Sequence, residues 1–340
     1  MDRKEFLRAG SVIAGASLLP ELRKAGPAAE NDQKFTIPPY LKKGDIIGIT
    51  SPAGHITSEE MQPAIQLMES WGYRIQLGTS IGKKDFNFGG TDDERLHDLQ
   101  YMLNTPSVKA IMCARGGYGS VRIVDRLKWN LFKANPKWVI GFSDITVLHA
   151  QISRLNIASI HSKMTNSFPD DPAVADAVQL QTIDSIREAL SGVKMKYDTP
   201  SVEFNRYGTT TGRLIGGNLR TLETLAGTAS DILTAGKILF LEDTGEYMYS
   251  IDRMFWNLKR TGKLASLKGL IIGGFGIKPD DPGEEFGKTI YEVVMEKVST
   301  YKYPVCFQFP VGHQRNNYAL KCGVEHRLIV NAEQCMLTEI

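Results

Sequence analysis

Short apolar runs alternate along the chain with segments whose apolar residues recur at helical spacing, the signatures of buried strands and amphipathic helices. Residues 45–50 (Asp-Ile-Ile-Gly-Ile-Thr) read as a first strand, turned by Ser51-Pro52-Ala53-Gly54. Thr57 with Glu60 makes a capping box ahead of Met61, Ile65 and Met68, which share a helix face until Gly72. Residues 73–77 form a second strand, and Thr91 with Glu94 opens a second helix on Leu96, Leu99 and Leu103, stopped by Pro106. A third strand covers 110–114. Three glycines in four positions (Gly116, Gly117, Gly119) then turn the chain, and Val121, Ile123, Val124 and Leu127 predict a helix over 121–127. A fourth strand, 138–142, leads to a helix capped by Ser143 or Asp144 and ending near Arg154, and a fifth strand covers 157–161. This alternation predicts an α/β fold whose N-terminal domain, 36–165, is an open parallel sheet covered on both faces.

After Met164 the regularity lapses. Residues 166–172 are turn-rich, 173–190 predict a helix, and 191–210 are polar and loop-like, so 166–210 is the expected link between domains. The second domain, 211–340, reads as mixed β/α. Its pieces are a strand over 211–215, a helix from Gly216-Gly217-Asn218 to Leu225, and an apolar strand over 237–241 that ends at Glu242-Asp243. A helix over 251–258, a strand over 270–272, a helix over 289–298 and short β pieces around Pro310-Val311-Gly312-His313 follow.

Composition changes this picture little. The chain has 340 residues, 42% hydrophobic and 23% charged, ordinary for a soluble protein with room for two cores. A formal charge of +2 gives no pull toward nucleic acid. The first 26 residues stand apart: Arg3-Lys4-Glu5-Phe6-Leu7-Arg8 is basic, and 9–19 is a small-residue apolar run too short to span a bilayer. This segment resembles a twin-arginine export signal with Lys4 in the place of the second arginine, so a periplasmic protein is expected, with a cytoplasmic one as the alternative. It holds five basic and three acidic residues, so the rest of the chain is formally neutral. No other apolar run has the length of a membrane span, and no stable membrane insertion is expected. The four cysteines show no CxxC spacing, so neither a metal site nor a redox pair is suggested; Cys306 and Cys322 could pair in an exported protein.

The strand, glycine turn and helix around 109–122 suit two chemistries. The backbone N–H groups of such a turn can cradle a phosphate, or they can serve an oxyanion beside an exposed nucleophilic serine, here Ser120. Neither a G-x-G-x-x-G nor a Walker pattern is present. Asp144, at the end of the next strand, could meet a ribose, which keeps a nucleotide-binding enzyme open as an alternative. A nucleophile needs a base and a group to orient it. Of six histidines, His97 falls on a charged helix face, while His149 and His326 read as structural; His161, ending a strand, and His55, after the Ser51-Pro52-Ala53-Gly54 turn, could each line a cleft. His313 lies in a loop among Gly312, Gln314, Arg315, Asn316 and Asn317, where nothing apolar would hold it for packing. Glu242 directly follows an apolar strand, where a carboxylate must be paired or solvated. An ion pair with Arg253 or Arg260 would explain it structurally, and Asp243 is the other candidate acid.

With these residues in view, the chain resembles the LD-carboxypeptidases, serine peptidases acting on murein tetrapeptides, which are related to the microcin C self-immunity peptidases. The resemblance is carried by Ile49-Thr50-Ser51-Pro52-Ala53, Arg115-Gly116-Gly117-Tyr118-Gly119-Ser120-Val121-Arg122, Gly141-Phe142-Ser143-Asp144-Ile145-Thr146, Gly216-Gly217-Asn218-Leu219, Leu241-Glu242-Asp243 with Ile251-Asp252-Arg253, and Pro310-Val311-Gly312-His313. It departs at His161-Ser162-Lys163-Met164, where the family usually has His-Gly-Pro-Met. The resemblance implies Ser120 as nucleophile, His313 as base and Glu242 as its orienting acid, meeting in a groove between the domains. Gly117 and Val121 would supply oxyanion N–H groups. Arg115 or Arg122 would bind the substrate carboxylate, and Tyr118, Asp144 and Asn218 would line the groove. The implied reaction hydrolyses the bond between an L-residue and a terminal D-alanine, without metal or cofactor, on a murein tetrapeptide or muropeptide, in cell-wall recycling or remodelling. A homodimer is expected, and an inactive peptidoglycan-fragment binder is a further alternative.

Overall fold

The computed structural model describes residues 35–340. The expected leader over 1–26 lies outside the described residues. Thirteen strands are described in order: β1 Ile46–Thr50, β2 Arg74–Leu77, β3 Val108–Cys113, β4 Trp138–Gly141, β5 Ser159–His161, β6 Lys196–Pro200, β7 Gly208–Asn218, β8 Ile238–Tyr247, β9 Gly269–Lys278, β10 Val305–Cys306, β11 Leu320–Cys322, β12 Glu325–Val330 and β13 Gln334–Glu339. The first sheet has the order β11-β5-β4-β3-β1-β2, with β1 to β5 parallel. Such an order reverses direction beside β1, and in open parallel sheets ligands bind outside the carboxyl ends of the strands. The turns after β1, β3 and β4 all lie on that side.

The second sheet, β10-β9-β8-β7-β12-β13-β6, has a parallel half (β7 to β10) and an antiparallel half. The two halves of the chain interlock. Lys196–Pro200, in a stretch read as loop, is the edge strand of the second sheet, while Leu320–Cys322 crosses back to pair antiparallel with β5. One apolar core runs through both, joining Ile111, Val139, Val147 and Leu148 to Ile215, Leu239 and Ile272. The helix Thr146–Arg154 sits between the halves, and its Thr146 Oγ1 accepts a hydrogen bond from the Asn218 N–H at the end of β7 (3.0 Å).

The capping boxes of Thr57–Glu60 and Thr91–Glu94 both form, the first opening a 3-10 turn ahead of the helix Gln62–Ser70. The helix expected over 121–127 does not form. In its place are two 3-10 turns, Ser120–Arg122 and Val124–Arg126. Three β-branched residues in four positions disfavour a continuous α-helix. Cys306 and Cys322 are free thiols in different sheets, and Cys306 faces Cys335 instead.

Candidate active site

Two sequence features position the acid. The apolar run 238–241 buries β8 in the second sheet, and the register with β9 slips between Leu241 and Asp243, so Glu242 occupies a bulge. A bulge re-aims the side chain it carries. Glu242 is fully buried, and its Oε2 accepts from both the backbone N–H (3.1 Å) and Nδ1 (2.5 Å) of His313. A carboxylate only accepts, so Nδ1 carries the proton and Nε2 of a neutral imidazole is left as an acceptor. Gly312 makes this approach feasible: it sits at φ +101°, and a Cβ there would lie 2.3 Å from Glu242 Cβ. The Gly312 N–H donates to Asn317 Oδ1 (2.8 Å), which holds the loop, and the Phe142 ring lies 4.9 Å from the imidazole. Glu242 therefore pairs with His313, not with Arg253 or Arg260.

The hydroxyl facing Nε2 belongs to Ser143, 3.2 Å away, and donates to it. Ser143 follows β4 at φ +63°, in the left-handed region that non-glycine residues seldom adopt. A short 3-10 turn, Ser143–Ile145, leads from it into the helix Thr146–Arg154. Strand, strained serine and helix start are the parts of a nucleophile elbow. Gly141 allows the tight packing there, since a Cβ on it would fall 2.9 Å from Ile145 Cγ1. His149 pins the same strand end: its Nε2 donates to the Gly141 carbonyl and its Nδ1 accepts from Ser159 Oγ, both at 2.9 Å. Burial pushes the His149 pKa down to about 4, so the ring stays neutral.

Ser120 is elsewhere. Its side chain is fully buried, its Oγ has no hydrogen-bond partner, and its N–H donates to Asp144 Oδ2 (2.8 Å). The expectation that Ser120 faces the base is corrected on this geometry. The turn after Gly119 tucks the Ser120 side chain inward, while the positive φ of Ser143 lifts its hydroxyl into the groove.

The glycine loop instead walls the serine. A Cβ on Gly116 would lie 3.1 Å from Ser143 Cβ and 3.3 Å from its Oγ. Arg95, fully buried, supports this loop from behind, donating Nη1 to the Gly119 carbonyl (3.0 Å) and the Pro52 carbonyl (2.5 Å). Arg122 is taken up by Asp92 through Nε at 2.8 Å, so it is structural. Gly117, at φ +104°, lines the same groove as Ser143, and Asp144 lies in the first turn of the 3-10 segment that Ser143 opens; first-turn N–H groups have no intrahelical partner. Asp144 thus carries the backbone N–H that directly follows Ser143 in the chain, a place the expectation had given to Val121 beside Ser120.

A groove of about 740 Å³ opens above His313 and Ser143. Gly117, Tyr118, Val121, Asp144 and Asn218 line it as expected; Arg115 does not, and its Nη1 donates to the His55 carbonyl (3.2 Å). Burial raises the pKa of Asp144, and it pushes Asp243 up to about 6. Asp243 organises the groove floor, accepting from Asn218 Nδ2 (3.0 Å) and from the N–H groups of Arg220 and Thr244 (2.9 and 2.8 Å). His161 is fully buried between Phe142 and Phe240 rather than lining the groove. Lys163, at the family departure, donates Nζ to the Gln314 carbonyl (2.8 Å) beside His313, and burial lowers its pKa.

The sequence pattern marked Ser143 only as a helix cap and did not place it against His313. One signal was present: Gly141 lies two residues before it, half of a G-x-S-x-G elbow with Ile145 in the last position. Arg220 and Glu246, which also line the groove, carry no local motif.

Comparisons with known proteins agree with this architecture. Residues 47–162 match the LD-carboxypeptidase N-terminal domain and residues 211–328 the LD-carboxypeptidase C-terminal domain. A probable murein peptide carboxypeptidase of Bacillus subtilis is 32% identical over 85% of this chain and 90% of its own. The Escherichia coli microcin C7 self-immunity protein MccF is 27% identical over 88% of this chain and 94% of its own. The crystal structure of muramoyltetrapeptide carboxypeptidase from Oxalobacter formigenes superposes with a TM-score of 0.76 at 26% identity, covering 86% of this chain and 98% of that one. On these matches, and with the Glu242–His313–Ser143 geometry in its groove, the chain belongs to the LD-carboxypeptidase family.

Proposed function

We propose that the protein is a serine LD-carboxypeptidase that removes the terminal D-alanine from murein tetrapeptides, with Ser143 as nucleophile, His313 as general base and Glu242 as the group that orients it. The observation that carries this reading is the run of contacts from Glu242 Oε2 to His313 Nδ1 (2.5 Å) and from His313 Nε2 to Ser143 Oγ (3.2 Å). His313 takes the Ser143 proton as Oγ attacks the carbonyl carbon of the L-residue, forming the C–O bond. The tetrahedral oxyanion is met by the N–H groups of Gly117 and Asp144, each worth roughly 3 kcal/mol in the transition state. Collapse breaks the C–N bond. His313 gives its proton to the departing D-alanine amine, and water, deprotonated by the same imidazole, then releases the acyl group and restores Ser143. Glu242 holds the imidazole in the Nδ1–H tautomer and balances the imidazolium.

The reading extends to a role in cell-wall recycling or remodelling, in the periplasm if the N-terminal segment directs export. Mass spectrometry of a murein tetrapeptide incubated with the protein tests the chemistry. D-alanine release by wild type and by Ser120→Ala, but not by Ser143→Ala, is the expected result. Release by Ser143→Ala at the wild-type rate overturns the mechanism, and no release by wild type favours a peptidoglycan-fragment binder or a nucleotide-linked substrate such as the microcin branch implies.

A further inference from the structure

A cation sits close to the Glu242–His313 pair without belonging to it. Lys163 follows β5 and is half-buried; its Nζ donates to the carbonyl of Gln314, the residue after His313 (2.8 Å), and lies 5.5 Å from the centre of the Phe142 ring. The same ring stands 4.9 Å from the imidazole, so ammonium and base share an aromatic neighbour. The Gln314 N–H donates to the Gly312 carbonyl (2.7 Å), closing a tight turn around His313, so whatever holds the Gln314 carbonyl also holds the base. Burial works against the charge on Lys163, and the Glu242 carboxylate works for it. A half-buried ammonium with a carbonyl, an aromatic face and a nearby carboxylate has the partners it needs to stay charged.

The other charged and titratable groups around the base are engaged. Glu242 is on Nδ1. Asp243, next along β8, accepts from Asn218 and from the N–H groups of Arg220 and Thr244. Asp144, after Ser143, accepts from the Ser120 N–H, and Arg315, two residues beyond His313, pairs with Asp176. His161, at the end of β5, is held neutral by burial, which pushes its pKa well below the usual imidazole range. Lys163 thus brings positive charge toward a base that becomes positive when it takes a proton. Like charges disfavour each other's charged forms, so an imidazole with an ammonium nearby stays neutral to lower pH.

We propose that Lys163 is a positioning residue for the general base, which fixes the His313 loop through the Gln314 carbonyl and extends the reaction to lower pH by opposing protonation of the imidazole in the free enzyme. This role rests on the reading of His313 as the base of a carboxypeptidase.

The test follows the pH profile of kcat/KM for D-alanine release from a murein tetrapeptide, beside a nitrogen NMR titration of His313 (its signal assigned as the one missing from His313→Gln). In Lys163→Gln and Lys163→Met the acid limb of the profile, and the His313 titration with it, should move up by about one pH unit. Lys163→Arg keeps the charge and should leave both within about 0.3 unit of wild type. On the plateau, Lys163→Met should lose about tenfold in kcat with KM little changed, because the Gln314 carbonyl loses its donor; Lys163→Gln retains a donor and should lose less. A limb and a titration that stay in place or move down in Lys163→Gln would overturn the proposal. Equal losses of kcat in all three variants, matched by a fall in Tm, would overturn it too, by reducing Lys163 to packing. Failure of wild type to release D-alanine would instead sink the carboxypeptidase reading, and the His313 titration would still decide whether Lys163 acts on the imidazole.

Discussion

Two serines stand at the ends of neighbouring parallel strands, and their chain environments are nearly interchangeable on paper. Ser120 follows β3 through a glycine turn, and Ser143 follows β4 through a single residue. In the fold they part. Ser120 is buried with an unpartnered hydroxyl, its N–H spent on Asp144, and the loop that carries it is braced by Arg95. Ser143 is held at φ +63° with its hydroxyl on the His313 imidazole. Flexibility in sequence therefore marks where backbone N–H groups are offered, and strain marks where a side chain is presented. The glycines of 116–119 allow their loop to come within contact of Ser143, while the serine itself needs no glycine because its helix and β4 over-determine its backbone.

The largest test of this division is the pair of alanine variants. Ser143→Ala is expected to lower kcat/KM by about 10⁶-fold, as removal of a nucleophile from a triad does. Ser120→Ala should change kcat/KM by less than about threefold and stability by less than about 1 kcal/mol, since it removes a hydroxyl with no partner. Comparable losses in both would break the comparison. The next effect belongs to the orienting acid. Glu242→Gln places an amide against Nδ1, and the tautomer or ring orientation it favours no longer leaves Nε2 free to accept, so kcat should fall about 10⁴-fold with KM little changed. A kcat within tenfold of wild type would show that the loop bond from His313 N–H, rather than the carboxylate, orients the ring.

Much of the fold was legible because it rests on local rules. The five parallel strands, both N-terminal capping boxes and the helix after Asn218 follow from apolar runs, Thr-x-x-Glu spacing and an Asn cap. The Glu242–His313 pair was also legible. Glu242 ends an apolar run where a lone carboxylate is costly, and His313 sits where packing alone would not put it. The serine that faces His313 was not, for a physical reason. The positive φ of Ser143 is imposed by Gly141, by His149 gripping the Gly141 carbonyl and by the helix that follows, and no residue at 143 announces it. Lys196–Pro200 was likewise invisible, because an edge strand with alternating polar residues has little apolar signal, and only pairing with β13 defines it.

A smaller effect should come from the wall between the serines. Gly116→Ala puts a methyl 3.1 Å from Ser143 Cβ and 3.3 Å from Met164 Cε, so the loop or the serine must shift by a few tenths of an ångström. Displacing reacting groups on this scale costs up to about 10²-fold in rate. Steady-state kinetics should find the loss in kcat, because the new methyl meets the Ser143 side chain directly. A loss confined to Tm would mean that the loop yields and the serine does not depend on it.

The smallest and most discriminating effect concerns Asp144, which joins the two regions by accepting from the Ser120 N–H while offering its own N–H beside Ser143. Burial raises its pKa, with hydrogen bonds from Ser120 and Gly119 working against that shift. An acid whose folded pKa lies above its unfolded value gives stability that is complete below the unfolded pKa and is lost as pH rises through the folded one. Asp144→Asn keeps an acceptor for the Ser120 N–H and has no charge to bury, so it escapes that loss. Its Tm relative to wild type should therefore climb as pH is raised from 4 to 8 (by no more than about 5 °C, on the scale of a 1–2 kcal/mol change in a chain this size). Activity should stay within about tenfold, because the backbone donor beside Ser143 is retained. A Tm difference that does not vary with pH would mean that the two loop N–H groups fully compensate the buried charge. The glycine loop would then support Ser143 electrostatically, through Asp144, as well as by shape.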